Sequence, residues 1–173
     1  KLVNDILDVS RLESGQMPLN LKTWSLPDLI ADALQVQQVL AQDKGIVLEN
    51  CVPGELPLIQ ADESLLRRVL QNLVGNAVKF TPPGGQVKLT AELTMLASAQ
   101  PVVLISVHDN GPGIPPEIQS KLFQKFVTGS QKGRGSGLGL AFCKLVIEAH
   151  GQQIWLDSLP GQGTVVTFTV AAA

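Results

Sequence analysis

DESLLRRVLQNLVGNAVKF, residues 62–80, carries two patterns at once. At the roughly 100° per residue of a helix, Leu66, Val69, Leu70, Leu73, Ala77 and Val78 fall on one broad apolar side, while Asn72, Asn76 and Lys79 gather on a narrow polar stripe. Asparagine is a poor helix-interior residue because its amide competes for backbone hydrogen bonds, so two of them one turn apart call for an explanation. A solvated face is one. A metal or phosphate site is the other, since carboxamide oxygens suit a hard cation and a nearby ammonium suits the anion that accompanies it. On these residues alone the solvated face is the plainer choice.

Upstream, residues 1–12, KLVNDILDVSRL, space Leu2, Ile6, Val9 and Leu12 as the last turns of a helix ending near Gly15. That stripe needs a partner, either a second copy of the helix in a dimer or the domain's own surface. A short strand is expected over residues 19–24. Ser25, Pro27 and Asp28 then supply cap, first-turn proline and N-terminal acid for a helix through Gln42, which Gly45 stops. Residues 46–51 and 58–61 read as strands separated by a Pro53-Gly54 turn, and Asp62 caps the helix that follows.

Downstream, strands are expected over residues 87–93 and 102–108, joined by a hairpin loop. A short helix over 117–123 precedes a polar, glycine-containing stretch. A helix over 140–150 ends at Gly151, and strands over 153–157 and 164–170 flank a Pro160-Gly161 turn. Helices and strands alternate irregularly with two hairpins. This favours a two-layer α/β sandwich with a mixed or mainly antiparallel sheet over a doubly wound parallel one.

The 173 residues, 45% of them apolar and with a formal charge of −2, suit one globular domain with a short appendage. No cluster of Lys and Arg accompanies the sparse aromatics, so neither nucleic acid nor an anionic membrane surface is an expected partner. Cys51 and Cys143 have no metal-ligand spacing and sit in apolar contexts, which predicts reduced core residues of an intracellular protein. No apolar run is long enough to span a bilayer. The chain opens at Lys1 in mid-pattern, as expected of a fragment.

Three further segments ask for a ligand. In Asp109-Asn110-Gly111-Pro112-Gly113-Ile114, an acid at the end of a buried strand is followed by glycines that allow close backbone approach; its carboxylate could accept a hydrogen bond from an exocyclic amine such as that of adenine. An ordinary turn whose Asp caps its own backbone fits as well. The run Gly133-Arg134-Gly135-Ser136-Gly137-Leu138-Gly139-Leu140 opens a helix, where backbone N–H groups and the helix dipole favour an anion and Lys132 and Arg134 add charge. It lacks the Lys-Ser/Thr ending of a P-loop and does not follow a strand as a Rossmann loop does. Between them stand Phe123 and Phe126, read either as core of the short helix or as anchors at the base of a lid.

The order and spacing of these pieces, Asn-x-x-x-Asn-x-x-Lys, Asp-x-Gly-x-Gly, Phe-x-x-Phe and Gly-x-Gly-x-Gly, resemble the N, G1, F and G2 boxes of the catalytic ATP-binding domain of sensor histidine kinases. That domain belongs to the GHKL group and has the Bergerat fold, a two-layer sandwich of about three helices on a mixed, mainly antiparallel sheet. LVNDILDVSRLESG resembles the end of the second dimerisation-domain helix of that family, and VIEAHGQQIWLDSLPGQGTVVTFTV its C-terminal helix and strands. The resemblance implies a division into residues 1–16, the end of the dimerisation helix, and 17–173, the catalytic domain.

It further implies ATP and Mg²⁺ as cofactors. Asn76, assisted by Asn72, would hold the metal and Lys79 would approach the phosphates. Asp109 would read the adenine amine, with Phe80, Gly111, Gly113, Ile114 and Phe126 around the nucleotide. Gly135, Ser136, Gly137, Leu138, Gly139 and Leu140 would wrap the phosphates, with Lys132 or Arg134 as lid cations. Gyrase-type ATPases and heat-shock chaperones of the same group place a Glu where this chain has Asn72. An amide cannot take a proton from water, which favours phosphoryl transfer to a protein over hydrolysis.

The implied partners are the protein's own dimerisation domain, in a homodimer, and a response-regulator receiver domain; the implied location is cytoplasmic, whether or not the parent protein is membrane-anchored. His108 and His150, the two histidines present, read as structural. His150 stands at a helix C-terminus, where an imidazolium favours the dipole. The chain alone is therefore expected to bind Mg-ATP without phosphorylating itself. An anti-sigma-type serine kinase shares the boxes but lacks the N-terminal helix, and a non-catalytic ATP-sensing scaffold is the third alternative.

Overall fold

The computed structural model describes residues 2–128 and 135–173. Its elements, in chain order, are α1 (Leu2–Glu13), β1 (Lys22–Trp24), α2 (Leu26–Asp43), β2 (Val47–Cys51), β3 (Ile59–Ala61), α3 (Glu63–Phe80), β4 (Gln86–Met95), β5 (Pro101–Asp109), α4 (Pro116–Gln119), α5 (Gly139–Ala149), β6 (Ile154–Ser158) and β7 (Thr164–Ala171).

The helix α3 starts where Asp62 Oδ1 accepts the Leu65 amide at 3.2 Å, as the sequence leads one to expect of an N-cap. All six predicted apolar positions are buried, and Leu65 and Val74 widen the stripe. Ser25, expected to cap α2, makes no side-chain cap hydrogen bond. Pro27 in the first turn removes one of the donors such a cap would serve.

The main sheet has the order β2-β4-β5-β7-β6. β2 runs parallel to β4 and the remaining pairs are antiparallel, including both predicted hairpins, β4–β5 and β6–β7. Alternation along β4 sends Val87 and Leu89 inward, where they meet Ile105 and Phe168 in a core closed over by α2, α3 and α5. The two-layer sandwich with a mixed, mainly antiparallel sheet is thus the observed architecture. On the opposite sheet face, hydroxyls pair across strands, with Ser106 Oγ 2.9 Å from Thr167 Oγ1. β1 and β3 form a separate two-stranded sheet.

Three expectations need correction. Cys143 is buried but Cys51 is exposed, because it ends β2 on the sheet edge. The short helix predicted over 117–123 is a single turn, α4, followed by turns. His150 is not placed as an imidazolium: its Nε2 accepts the Asp62 amide at 3.0 Å while Nδ1 lies 2.7 Å from the Val146 carbonyl. A ring that accepts at one nitrogen and donates at the other carries one proton.

The α1 stripe packs on the domain's own surface at Val9 and Leu12, whereas Val3, Ile6 and Leu7 stay exposed. Arg68 of α3 pairs with Asp5 and Asp8 of α1 and lies 3.9 Å from the centroid of Phe142 on α5. Lys125 reaches Glu13 at 2.8 Å. No helix among the described residues is long and apolar enough to cross a membrane.

Candidate functional site

The C-terminal half of α3, the ends of β5 and β7, and the segments on either side of residues 129–134 enclose a cavity of about 220 Å³. Its walls are mostly apolar. Leu73 and Ala77 come from α3, and Val107, Leu156 and Val166 from the inner faces of β5, β6 and β7. Polar groups are few: Asn76, Asp109, Thr128 and Thr164. An apolar slot with a few fixed polar atoms suits a flat heterocycle with one recognised edge.

Asp109 is the one carboxylate lining this cavity among the described residues. Burial pushes its carboxyl above the usual range, opposed by hydrogen bonds from the Gly111 and Thr164 amides. The Gly111 amide donates to Oδ1 at 2.9 Å. The glycines here answer a steric need. A Cβ on Gly111 would lie 2.9 Å from Asp109 Oδ1, and Gly113, at φ +72°, would drive one into the Leu159 carbonyl. Asn110 fixes the loop to β4 by accepting the Gln86 amide at 2.7 Å, and the Ile114 amide ties it to Ser158 Oγ at 2.8 Å.

Opposite stands the polar stripe of α3. Asn76 lines the cavity, while Asn72, one turn earlier, sits behind it. A Cβ on Gly139 would be 4.0 Å from both Asn72 Cγ and Asn76 Nδ2, so the start of α5 faces the carboxamides. Asn72 also hydrogen-bonds the Cys143 thiol, which burial pushes up to about 12. α5 has no side-chain cap at its N-terminus, which leaves its first-turn amides available to an anion. Lys79 Nζ lies 3.0 Å from where a Gly135 Cβ would be and 5.1 Å from the centroid of the Phe80 ring.

Of the predicted residues, Asn76, Phe80, Asp109, Gly113, Ile114, Gly135, Gly137 and Leu140 line the cavity. Gly111 shapes its rim, and Asn72, Lys79 and Gly139 stand just outside it. Ser136 Oγ accepts the Leu138 amide at 3.3 Å, and Leu138 is buried, so these two build the turn into α5. Phe126 is exposed at φ +64° with its amide on the Gly137 carbonyl at 2.9 Å; it is neither helix core nor cavity wall. A Cβ on Gly137 would meet the Phe126 backbone at 2.6 Å. Lys132 and Arg134 lie outside the described residues.

Sequence reasoning missed Thr164, whose amide reaches Asp109, and Gly163, at φ +83°, whose Cβ would collide with the Asp109 carbonyl. The signal for Gly163 was a second glycine straight after the Pro160-Gly161 turn. Thr164 gave none, since it reaches Asp109 through its backbone amide.

An uncapped helix start facing two carboxamides, across an apolar slot with one half-buried acid among the described residues, defines a site for a nucleotide-like anion. The histidine kinase-, DNA gyrase B- and HSP90-like ATPase family matches residues 61–173, and this chain belongs to it. Over 172 residues it is 36% identical to the adaptive-response sensory kinase SasA of Rippkaea orientalis, covering 98% of the chain and 43% of that protein. It is 38% identical to the alginate biosynthesis sensor protein KinB of Pseudomonas aeruginosa over 94% of the chain and 26% of that protein. The chain therefore spans less than half the length of either relative.

Among solved structures, full-length ShkA in complex with AMPPNP superposes with a TM-score of 0.86 at 36% identity, over 99% of this chain and 36% of that one. The histidine kinase ThkA, in complex with the response regulator TrrA, gives 0.76 at 27% identity, over 99% and 48%.

Proposed function

We propose that this chain is the Mg-ATP-binding catalytic part of a cytoplasmic sensor histidine kinase region that donates the ATP γ-phosphoryl group to a histidine on a dimerisation domain, for relay to a response regulator. Residues 1–16 are then the end of the dimerisation helix and 17–173 the catalytic domain. The observation that carries the reading is the carboxylate inventory of the cavity. Its one acid among the described residues, Asp109, is already held by two backbone amides, and the α3 stripe offers carboxamides where a water-activating hydrolase needs a base.

In this reading Asp109 accepts from the exocyclic amine of the base while Val107, Val166 and Leu73 exclude water from its faces. The first-turn amides of α5 and the glycines at 135 and 137 receive phosphate oxygens, Lys79 adds positive charge, and the Asn76 carboxamide oxygen, with Asn72 behind it, is offered to Mg²⁺. Those carboxamide oxygens would suit a hard, oxygen-preferring cation. When bound, the metal supplies neutralisation of phosphate charge. The chain's own contribution is positioning and electrostatics. AMPPNP bound to ShkA and TrrA bound to ThkA support the nucleotide and the partner. The helix α1 favours this reading over a serine kinase of the anti-sigma type.

The test has two stages. Titration of the chain with ATP and Mg²⁺ is expected to raise its melting temperature and shift amide resonances near Asp109 and Asn76; an unchanged melt and spectrum would overturn the nucleotide reading. Addition of a histidine-bearing dimerisation domain fused before residue 1 is then expected to give acid-labile, base-stable phosphate. ATP binding without any transfer would favour the sensing scaffold instead.

A further inference from the structure

An α-helix satisfies each carbonyl with the amide four residues on, so the Val78 and Lys79 carbonyls of α3 require N–H groups at positions 82 and 83. Both positions are proline and have none. Pro82 also holds Thr81 extended, at φ −71° and ψ 129°, so no glycine-type C-cap can form there. The orphaned carbonyls are met from elsewhere in the chain. Lys44, just after α2, places Nζ 2.7 Å from the Val78 carbonyl, 3.0 Å from Lys79 and 2.7 Å from Thr81. An ammonium has three protons, and all three are used.

The same residue also takes up the next amide. Position 84 does carry an amide, but it donates to the Lys44 carbonyl at 3.1 Å instead of back into the helix. The ammonium thus grips the backbone on both sides of Phe80, whose carbonyl lies 3.3 Å from where a Gly111 Cβ would be. From there Gly111 donates to Asp109. A positive charge at the negative end of the α3 dipole adds to the effect.

We infer that Lys44 is the C-terminal cap of α3, supplied from a different helix in place of the two amides that Pro82 and Pro83 delete, and that it is a positioning residue for the Phe80 side of the cavity. The second half of this inference rests on the nucleotide reading above; the first does not. The arrangement couples the end of α2 to the helix that presents Asn76 and Lys79, so α2 serves the pocket without touching it.

The test is a cycle on the 173-residue chain with melting temperature and Mg-ATP affinity as readouts. Lys44→Met is expected to lower the melting temperature of the ligand-free protein by about 5–10 °C and to weaken Mg-ATP binding about tenfold. Lys44→Arg keeps the charge but offers a planar fork, and is expected to recover part of both losses. Restoring the missing amides with Pro82→Ala plus Pro83→Ala should shrink the effect of Lys44→Met, an outcome that general core damage would not produce. Equal losses in both backgrounds, or a Lys44→Met protein indistinguishable from wild type, would overturn the cap. If Lys44→Met fails to fold in the parent background, folding in the alanine background supports the cap and failure there as well overturns it. If wild type itself binds no ATP, the nucleotide reading fails while the melting cycle still tests the cap.

Discussion

The Asp62 amide donates to His150 Nε2 at 3.0 Å, joining the residue that begins α3 to the residue that ends α5. On the other side of the backbone, the Asp62 carboxylate accepts the amides of Asn20 and Leu65 and the hydroxyl of Ser64. Burial alone would raise this carboxyl, yet those bonds hold it below the ordinary range. Asp62→Ala is expected to cost about 1–2 kcal/mol of stability, a melting shift of about 3–6 °C, and His150→Ala a smaller loss. Circular dichroism melts check both. Because the folded carboxyl is depressed, the Asp62 contribution is present above its unfolded value of 3.8 and is lost as pH falls through the folded value.

A second pH dependence belongs to His108, whose Nε2 lies 3.1 Å from Thr90 Oγ1. Burial and the nearby Lys88 lower its imidazole below the usual 6.5. A depressed base contributes stability above its unfolded value that disappears as pH drops through the folded one. Melting temperature is therefore expected to decline on acidification below about pH 6.5. His108→Gln should flatten that part of the curve, and identical curves for variant and wild type would reject the assignment.

The two sides of the cavity make separable predictions. Asn76→Asp places a charge beside the proposed phosphate path and should weaken Mg-dependent ATP binding about tenfold or more. Asp109→Asn replaces an acceptor-only group with one that also donates, so ATP should lose its advantage over GTP. Calorimetric titrations with each nucleotide, with and without Mg²⁺, distinguish the two effects.

Gly137→Ala adds a Cβ at φ +69°, against the Phe126 backbone at 2.6 Å. Nucleotide affinity should fall about tenfold while the melting temperature of the ligand-free protein changes little, since the turn lies outside the core.

Arg68 holds α1 through Asp5 and Asp8. Arg68→Met should leave the sandwich folded but speed amide exchange over residues 2–13, as measured by hydrogen–deuterium exchange. Unaltered exchange would mean that Val9 and Leu12 alone keep α1 docked.

Much of this was legible in local pattern. The period of α3, its Asp62 cap and both hairpins follow from residues near one another in sequence, and the loops at 109–114 and 135–140 follow from glycines with a steric reason. What local pattern could not carry is pairing at a distance. The parallel join of β2 to β4 put Cys51 on an exposed edge, and the ring of His150 met an amide 88 positions away. Lys44 escaped notice because its role lies in atoms of residues 78–81, and the hint was the absence of two amide protons at Pro82 and Pro83. Phe126 misled because aromatic spacing suggests core, whereas its left-handed backbone turns the ring outward.

The parallel pairing of β2 with β4 has a last consequence for how the chain tolerates cuts and rewiring. Two parallel neighbours oblige the chain to travel back along the sheet, and the return leg is α3. The asparagine-bearing helix is therefore a topological strut as well as a wall of the cavity. A new terminus opened between β2 and β3 would spare it, whereas one opened at residues 82–85 would part it from the strand that carries it into the sheet.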